Sequence, residues 1–140
     1  MRILILNGVN LNLLGKREQS IYGNTSFEAY LSKLKNRYRT IQIDYIQSND
    51  ESVLVHHIQE ADTTYNGIVL NAGAFTHTSI AICDAIRSIC IPVIEIHISN
   101  IFAREIYRRK SCLSEVCKGS ICGLGLDGYR LAIESFIPLV

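Results

Sequence analysis

The chain predicts an α/β fold: a five-stranded parallel sheet with helices on both faces. Three observations carry that expectation. Short apolar runs stand at residues 2–7, 41–47, 67–71, 92–97 and 119–123, helical patterns follow them in turn, and polar clusters gather where several of the runs end. Strands that alternate with helices pair in parallel, because each return crosses the sheet through a helix. The 140 residues suffice for one domain with a real core, and the even spread of apolar residues offers no linker at which to divide residues 1–140.

The first run, Ile3-Leu4-Ile5-Leu6, is continuously apolar, as a buried strand is. The segment behind it, residues 7–23, holds Asn7, Asn10, Asn12, Arg17 and Tyr22 among glycines. Leu11, Leu13, Leu14 and Ile21 make it too apolar for a disordered segment, and its length exceeds an ordinary turn, so it reads as an active-site loop. A capping box, Thr25 with Glu28, opens the first long helix, which carries Phe27, Tyr30, Leu31, Leu34 and Tyr38 at helical spacing. A second box, Ser48 with Glu51, opens a helix with Leu54, Ile58 and Ala61 on its inner face. A third helix is expected over about 78–89 and a shorter one over 103–110, while the last begins at Asp127 and buries Ala132, Ile133, Phe136 and Ile137.

The composition excludes several classes. With a net charge of +1 and no run of like charges, the chain has neither a nucleic-acid stripe nor a basic membrane patch. Met1-Arg2 leads directly into a strand, and no apolar run is long enough to span a bilayer, so a cytoplasmic protein without a signal peptide is expected. Five cysteines form an odd set with no C-x-x-C pair, which argues against a disulfide framework and a zinc site; buried reduced thiols are expected.

Ligands of open parallel sheets bind beyond the carboxyl ends of the strands, where strand order reverses. The polar residues follow that rule: residues 10–22 come after the first run, 71–77 after the third, and Glu95 and His97 end the fourth. A strand period of two places Glu95 and His97 on one face. They read either as a hydrogen-bonded structural pair or as a proton carrier, His97, whose tautomer and orientation Glu95 fixes. Tyr22 carries a phenol that titrates near about 10, a poor base unless a cation such as Arg17 favours phenolate; the alternative is a tyrosine that packs the loop down beside a solvated arginine. Asn12 suits a turn, whereas Asn10 suits the ligand side, where a neutral amide can hold a water or polarise a carbonyl.

The segment Asn71-Ala72-Gly73-Ala74-Phe75-Thr76-His77-Thr78-Ser79 lacks the ending of a phosphate loop and fits hydroxyls or a carboxylate better than a nucleotide. On the expected 103–110 helix, Arg104 and Arg108 share a face, and Arg109 follows Glu105 at the spacing of a helix salt bridge. Arg108 can point at a ligand held by the backbone of Ile98-Ser99-Asn100. His77, Glu95 and His97 are metal-ligand types without helical metal-site spacing, and His56 and His57 receive no role.

Four motifs now stand together in order. They are Asn7-Gly8-x-Asn10-Leu11-Asn12-Leu13-Leu14-Gly15-x-Arg17-Glu18 with Ile21-Tyr22-Gly23; Leu70-Asn71-Ala72-Gly73-Ala74 with Thr76-His77-Thr78-Ser79; Glu95-Ile96-His97-Ile98-Ser99-Asn100 with Ala103-Arg104-Glu105 and Arg108; and Gly123-Leu124-Gly125 with Gly128-Tyr129. This series resembles the type II 3-dehydroquinate dehydratases over essentially the whole chain. The resemblance implies a flavodoxin-like fold and the shikimate-pathway conversion of 3-dehydroquinate to 3-dehydroshikimate and water, with no cofactor or metal. By motif, Tyr22 would take the C2 proton, Arg17 would keep it ionised, Asn10 would hold a water that stabilises the enolate, and His97, partnered by Glu95, would protonate the departing C1 hydroxyl. Asn71 and the Ile98-Ser99 backbone would take the substrate carboxylate, and His77 and Arg108 the ring hydroxyls.

The resemblance further implies that Asp84 reaches a neighbouring subunit's site within trimers that build a homododecamer. By itself Asp84 reads as a solvated helical charge. The motifs contain a lysine only at an unspecified position, Lys16, leaving no candidate for a Schiff base. Val9 stands where the family usually has proline, which should tune the loop without abolishing activity. Two other functions suit the fold alone: a flavin-binding electron-transfer module, which would purify yellow, and a receiver domain, which would need acids where Asn7 and Asn10 stand.

Overall fold

A computed structural model describes residues 1–16, 19–22 and 24–139, with the side chains of Ile21 and Tyr22 not among those described. The expectations for Arg17 and for the Tyr22 phenol therefore lie outside the described residues. The strands are β1 (Arg2–Asn7), β2 (Gln42–Gln47), β3 (Gly67–Asn71), β4 (Val93–His97) and β5 (Gly119–Cys122). They form one sheet in the order β2-β1-β3-β4-β5, with every pairing parallel. The order reverses between β1 and β3, which opens a crevice at their carboxyl ends.

Helices α1 (Gln19–Tyr22), α2 (Phe27–Arg37), α3 (Glu51–Ala61), α4 (Ile80–Arg87) and α5 (Asp127–Glu134) complete the frame. Alternation along β1 explains why both faces are covered. Ile3 and Ile5 join Phe27 and Leu34 of α2 and Ala132 and Ile133 of α5 in one apolar cluster. Leu4 and Leu6 join Leu54 and Ile58 of α3 and Ile82 and Ile86 of α4 in the other. Phe136 and Ile137 pack against the first cluster from beyond the end of α5.

Local chemistry moves several boundaries. The cap of α2 is Ser26, which accepts from the Ala29 N–H at 3.3 Å, so the expected Thr25 box is displaced by one hydroxyl. Likewise Asp50 caps α3 by accepting from the Ser52 N–H at 2.9 Å, while Ser48 accepts from the Asp50 N–H one step earlier. Ser79 caps α4, which is therefore shorter than the pattern over 78–89.

The expected helix over 103–110 is absent. Two 3₁₀ turns, Ile101–Ala103 and Ile106–Arg108, replace it because Arg104 (φ −99°, ψ −173°) and Glu105 (φ −57°, ψ 148°) are extended. The Glu105–Arg109 salt bridge is lost with the helix. Glu105 Oε2 instead lies 3.6 Å from Arg104 Nε and 3.4 Å from Arg108 Nε, and Arg109 Nε donates to the Arg104 carbonyl at 2.8 Å. The cysteines are all free thiols, but only Cys83 is buried; Cys90 is exposed and Cys112, Cys117 and Cys122 are half-buried, which corrects the expectation of five core thiols. No helix among the described residues is long and apolar enough to cross a membrane.

Candidate active site

Glycine lets the segments leaving β1 and β3 run against each other. The Gly8 N–H donates to the Asn71 carbonyl at 2.7 Å, and a Cβ at Gly8 would stand 2.4 Å from the Ala72 carbonyl oxygen. Gly73, at φ 63°, makes the reciprocal approach, with its missing Cβ 2.6 Å from the Val9 carbonyl oxygen. Asn10 also adopts a left-handed backbone, φ 66°, which asparagine tolerates better than most residues. Its N–H donates to Asn49 Oδ1 at 2.9 Å, and Gln47 Nε2 reaches both that oxygen and the Gly8 carbonyl.

A pocket opens beyond the ends of β1, β3 and β4. Asn10 comes to it from the first loop, Asn71 and His77 from the second, His97, Ile98 and Ser99 from the third, and Arg104 and Arg108 from the two 3₁₀ turns and the link between them. Leu11, Leu14 and Ile101 give it an apolar wall. Seven of the site residues expected from sequence thus meet in one place. Glu95 lies behind His97 and fully buried. Asp84 is apart: it sits exposed on α4 with Oδ1 3.2 Å from Arg87 Nη1 and does not line this pocket.

The imidazoles stack, with ring centroids 6.4 Å apart and planes 23° from parallel. His77 Nδ1 lies 2.7 Å from the Lys110 carbonyl. A carbonyl only accepts, so Nδ1 carries the hydrogen and Nε2 is left for a ligand. His97 Nε2 lies 2.8 Å from Glu95 Oε1, so Nε2 donates to the carboxylate and Nδ1 is the nitrogen left to exchange a proton.

Glu95 would be an improbable anion in an apolar core, since burial pushes a carboxyl upward. Hydrogen bonds from His97, Ser111, Ser114 and Ser120 outweigh that effect and hold it down at about 2. Cys117 lies near this charge; burial first, and Glu95 second, push its thiol up to about 12. Among the described residues no group of three or more His, Cys, Asp or Glu side chains is arranged to hold a metal ion. Glu95 and His97 form a hydrogen-bonded pair, and His77 stacks against it.

Asn71 is oriented from below. Its Nδ2 donates to the Tyr129 hydroxyl at 2.8 Å, its Oδ1 accepts from the Gly73 N–H at 3.2 Å, and Tyr129 in turn donates to Asn7 Oδ1 at 2.9 Å. The second Nδ2 hydrogen of Asn71 remains for a ligand. Tyr129, the three serines, Arg104 and the Gln47–Asn49 pair around Asn10 received no role in the sequence reading. A signal existed for Tyr129 alone among the hydroxyls, in the Gly128-Tyr129 motif, but the motif does not say what the phenol touches.

Comparison with known proteins gives a consistent result. The family model for dehydroquinase class II matches residues 1–137. A 3-dehydroquinate dehydratase of Clostridium botulinum (strain Loch Maree / Type A3) is 51% identical over 134 residues, covering 94% of this chain and 91% of that protein. One from Buchnera aphidicola subsp. Baizongia pistaciae is 51% identical over 140 residues, covering 99% and 91%. The crystal structure of a type II dehydroquinase from Butyrivibrio crossotus superposes with a TM-score of 0.92 at 47% identity, covering 97% of each chain.

Proposed function

Since this chain belongs to the class II dehydroquinase family, whose reaction is the dehydration of 3-dehydroquinate in the shikimate pathway, we propose that it eliminates water through an enolate with Tyr22 as base and His97 as acid. Tyr22, kept ionised by Arg17, removes the C2 proton. The electron pair moves onto the C3 oxygen, where a water held by Asn10 stabilises the enolate. The enolate then re-forms the ketone, the C1–O bond breaks, and His97 protonates the departing hydroxyl, giving a C1–C2 double bond and water. Asn71 and the Ile98-Ser99 backbone hold the carboxylate, while His77 and Arg108 bind ring hydroxyls.

The observation that carries this reading is the buried Glu95–His97 pair, whose unengaged nitrogen Nδ1 belongs to a ring that lines the same pocket as Asn10, Asn71 and Arg108. The pair supplies a directed proton donor, and the apolar wall of Leu11, Leu14 and Ile101 limits water around it. Turnover is read by adding 3-dehydroquinate and following the enone absorbance in the ultraviolet, with and without a chelator. Enone formation that chelation leaves unchanged is expected; no enone, or loss of activity on chelation, would overturn the proposal.

Asp84 is proposed to complete a neighbouring subunit's pocket in trimers that assemble into a cytoplasmic dodecamer. The exposed apolar side chains support association: Phe102 is 64%, Tyr107 69%, Ile80 70% and Ile106 81% exposed in the isolated chain. A solution mass near twelve times the 15.7 kDa chain is expected, and a monomer would contradict it.

A further inference from the structure

Glu95 is surrounded by more donors than an orienting carboxylate requires. A carboxylate offers about four lone-pair positions. Oε1 accepts from His97 Nε2 and from the Ser111 hydroxyl, and Oε2 accepts from Ser114 and from Ser120, with Ser120 at 2.7 Å. We propose that Ser114 and Ser120 are positioning residues for the dehydration: with Ser111 they fill the acceptor sites of Glu95, so that it stays an anion throughout turnover and His97 releases its proton only through Nδ1. This inference rests on the assignment of His97 as the acid.

Two of the hydroxyls are aimed by separate constraints. The oxygen of Ser111 accepts from the Leu113 and Ser114 N–H groups at 3.0 and 3.1 Å, which leaves its single hydrogen for Glu95. Ser120 is set by sheet register, since β5 pairs with β4 so that Ser120 stands opposite Glu95. Its oxygen also lies 3.3 Å from Ser114 Oγ, but the shorter contact is to the carboxylate. His97 faces Glu95 from the same strand, His77 stacks behind His97, and the Cys117 thiol approaches from the segment preceding β5, kept neutral by its burial.

The chemical consequence concerns the direction of the proton. A carboxylate with a vacant lone pair can take the hydrogen of Nε2 and leave a neutral pair. One whose positions are filled must first expel or reverse a donor, so the hydrogen stays on Nε2 and transfer is confined to the pocket side of the ring. Glu95 is thereby a fixed charge and not a relay.

Ser120→Val and Ser120→Thr test this directly, because the two side chains share a shape and differ by the hydroxyl. Ser120 is an exposed residue on a strand, where β-branched side chains are favoured. Ser120→Thr should keep kcat close to the parent value. Ser120→Val should lower kcat by about tenfold with KM little changed, and raise the protonation midpoint of Glu95 by about one pH unit, the shift that a tenfold change in proton affinity corresponds to. That midpoint is followed by carboxyl-carbon NMR of labelled glutamate, which needs no substrate. Ser114→Ala should move both readouts in the same direction.

If the Val and Thr variants share one kcat, or if the Glu95 midpoint stays in place in Ser120→Val, the inference is wrong. A lowered kcat with an unmoved midpoint would reduce Ser120 to a packing role. Failure of the acid assignment looks different: His97→Gln would retain dehydration while the NMR midpoint still responded to Ser120→Val.

Discussion

Tyr129→Phe removes one oxygen and should be costly out of proportion to its size. The ring is completely buried, stacked edge-on to Phe27 at 4.9 Å, and phenylalanine preserves that packing. What disappears is the hydroxyl between Asn71 Nδ2 and Asn7 Oδ1, at 2.8 and 2.9 Å. Burial, the dominant influence, pushes the phenol far above its ordinary range, so in the parent it is a neutral hydroxyl that donates and accepts at every working pH. Each buried polar group left unpaired costs about 1–3 kcal/mol, and two of them give about 2–4 kcal/mol once the retained bond from the Gly73 N–H to Asn71 is allowed for. For a chain of this length that is a fall in Tm of about 6–12 °C. Urea unfolding should show an earlier midpoint with an unchanged slope. In the steady state KM should rise more than kcat falls, because Asn71, the residue proposed to hold the substrate carboxylate, loses the bond that orients it. A variant with parental Tm and parental KM would refute the reasoning that this phenol orients the site.

Glu95 should impose a pH dependence on stability. Its carboxyl is held at about 2 in the fold against a reference value of 4.5, so its contribution is complete above about pH 4.5 and is lost as pH falls through that interval toward 2; the full effect is about 3 kcal/mol. Urea midpoints measured across the interval should fall steeply in the parent and less steeply in Glu95→Gln, and parallel slopes would contradict the cause assigned here. Gly8→Ala should destabilise the fold by about 1–3 kcal/mol, since the added carbon would meet the Ala72 carbonyl at 2.4 Å and push the ends of β1 and β3 apart. A thermal midpoint equal to the parent's would show that the two segments yield more easily than their hydrogen bond implies.

The central strands β1, β3 and β4 were legible because they are short apolar runs buried on both faces, and helices α2, α3 and α5 because their inner residues recur at helical spacing. Adjacent candidates for one cap were not separable: Thr25 and Ser26 are both hydroxyl residues, and only the backbone of Ser26 offers its oxygen to Ala29. The segment after β4 was misread because Arg104 and Arg108 stand at a helical interval, while the Asn100 cap and the extended Arg104-Glu105 link depend on surroundings that spacing does not encode.

Glu95 and His97 could be paired from the period of a strand, and the Asn10, Asn71 and His77 segments from their places after strands. The serines could not. Ser120 is 25 residues from Glu95, and the pair exists only once the β4–β5 register is set. Tyr129 is 122 residues from Asn7, and its role depends on α5 returning beneath the ends of β1 and β3. Contacts of that kind arise from tertiary packing and leave no local period.

The division of labour between base and acid is tested most directly by proton exchange at C2 of 3-dehydroquinate in heavy water, followed by NMR beside enone formation. His97→Gln should continue to exchange the C2 hydrogen for deuterium while producing almost no enone, because the enolate forms and returns without losing hydroxide. Tyr22→Phe should do neither. Exchange at the parental rate in Tyr22→Phe, or parental dehydration in His97→Gln, would contradict the account.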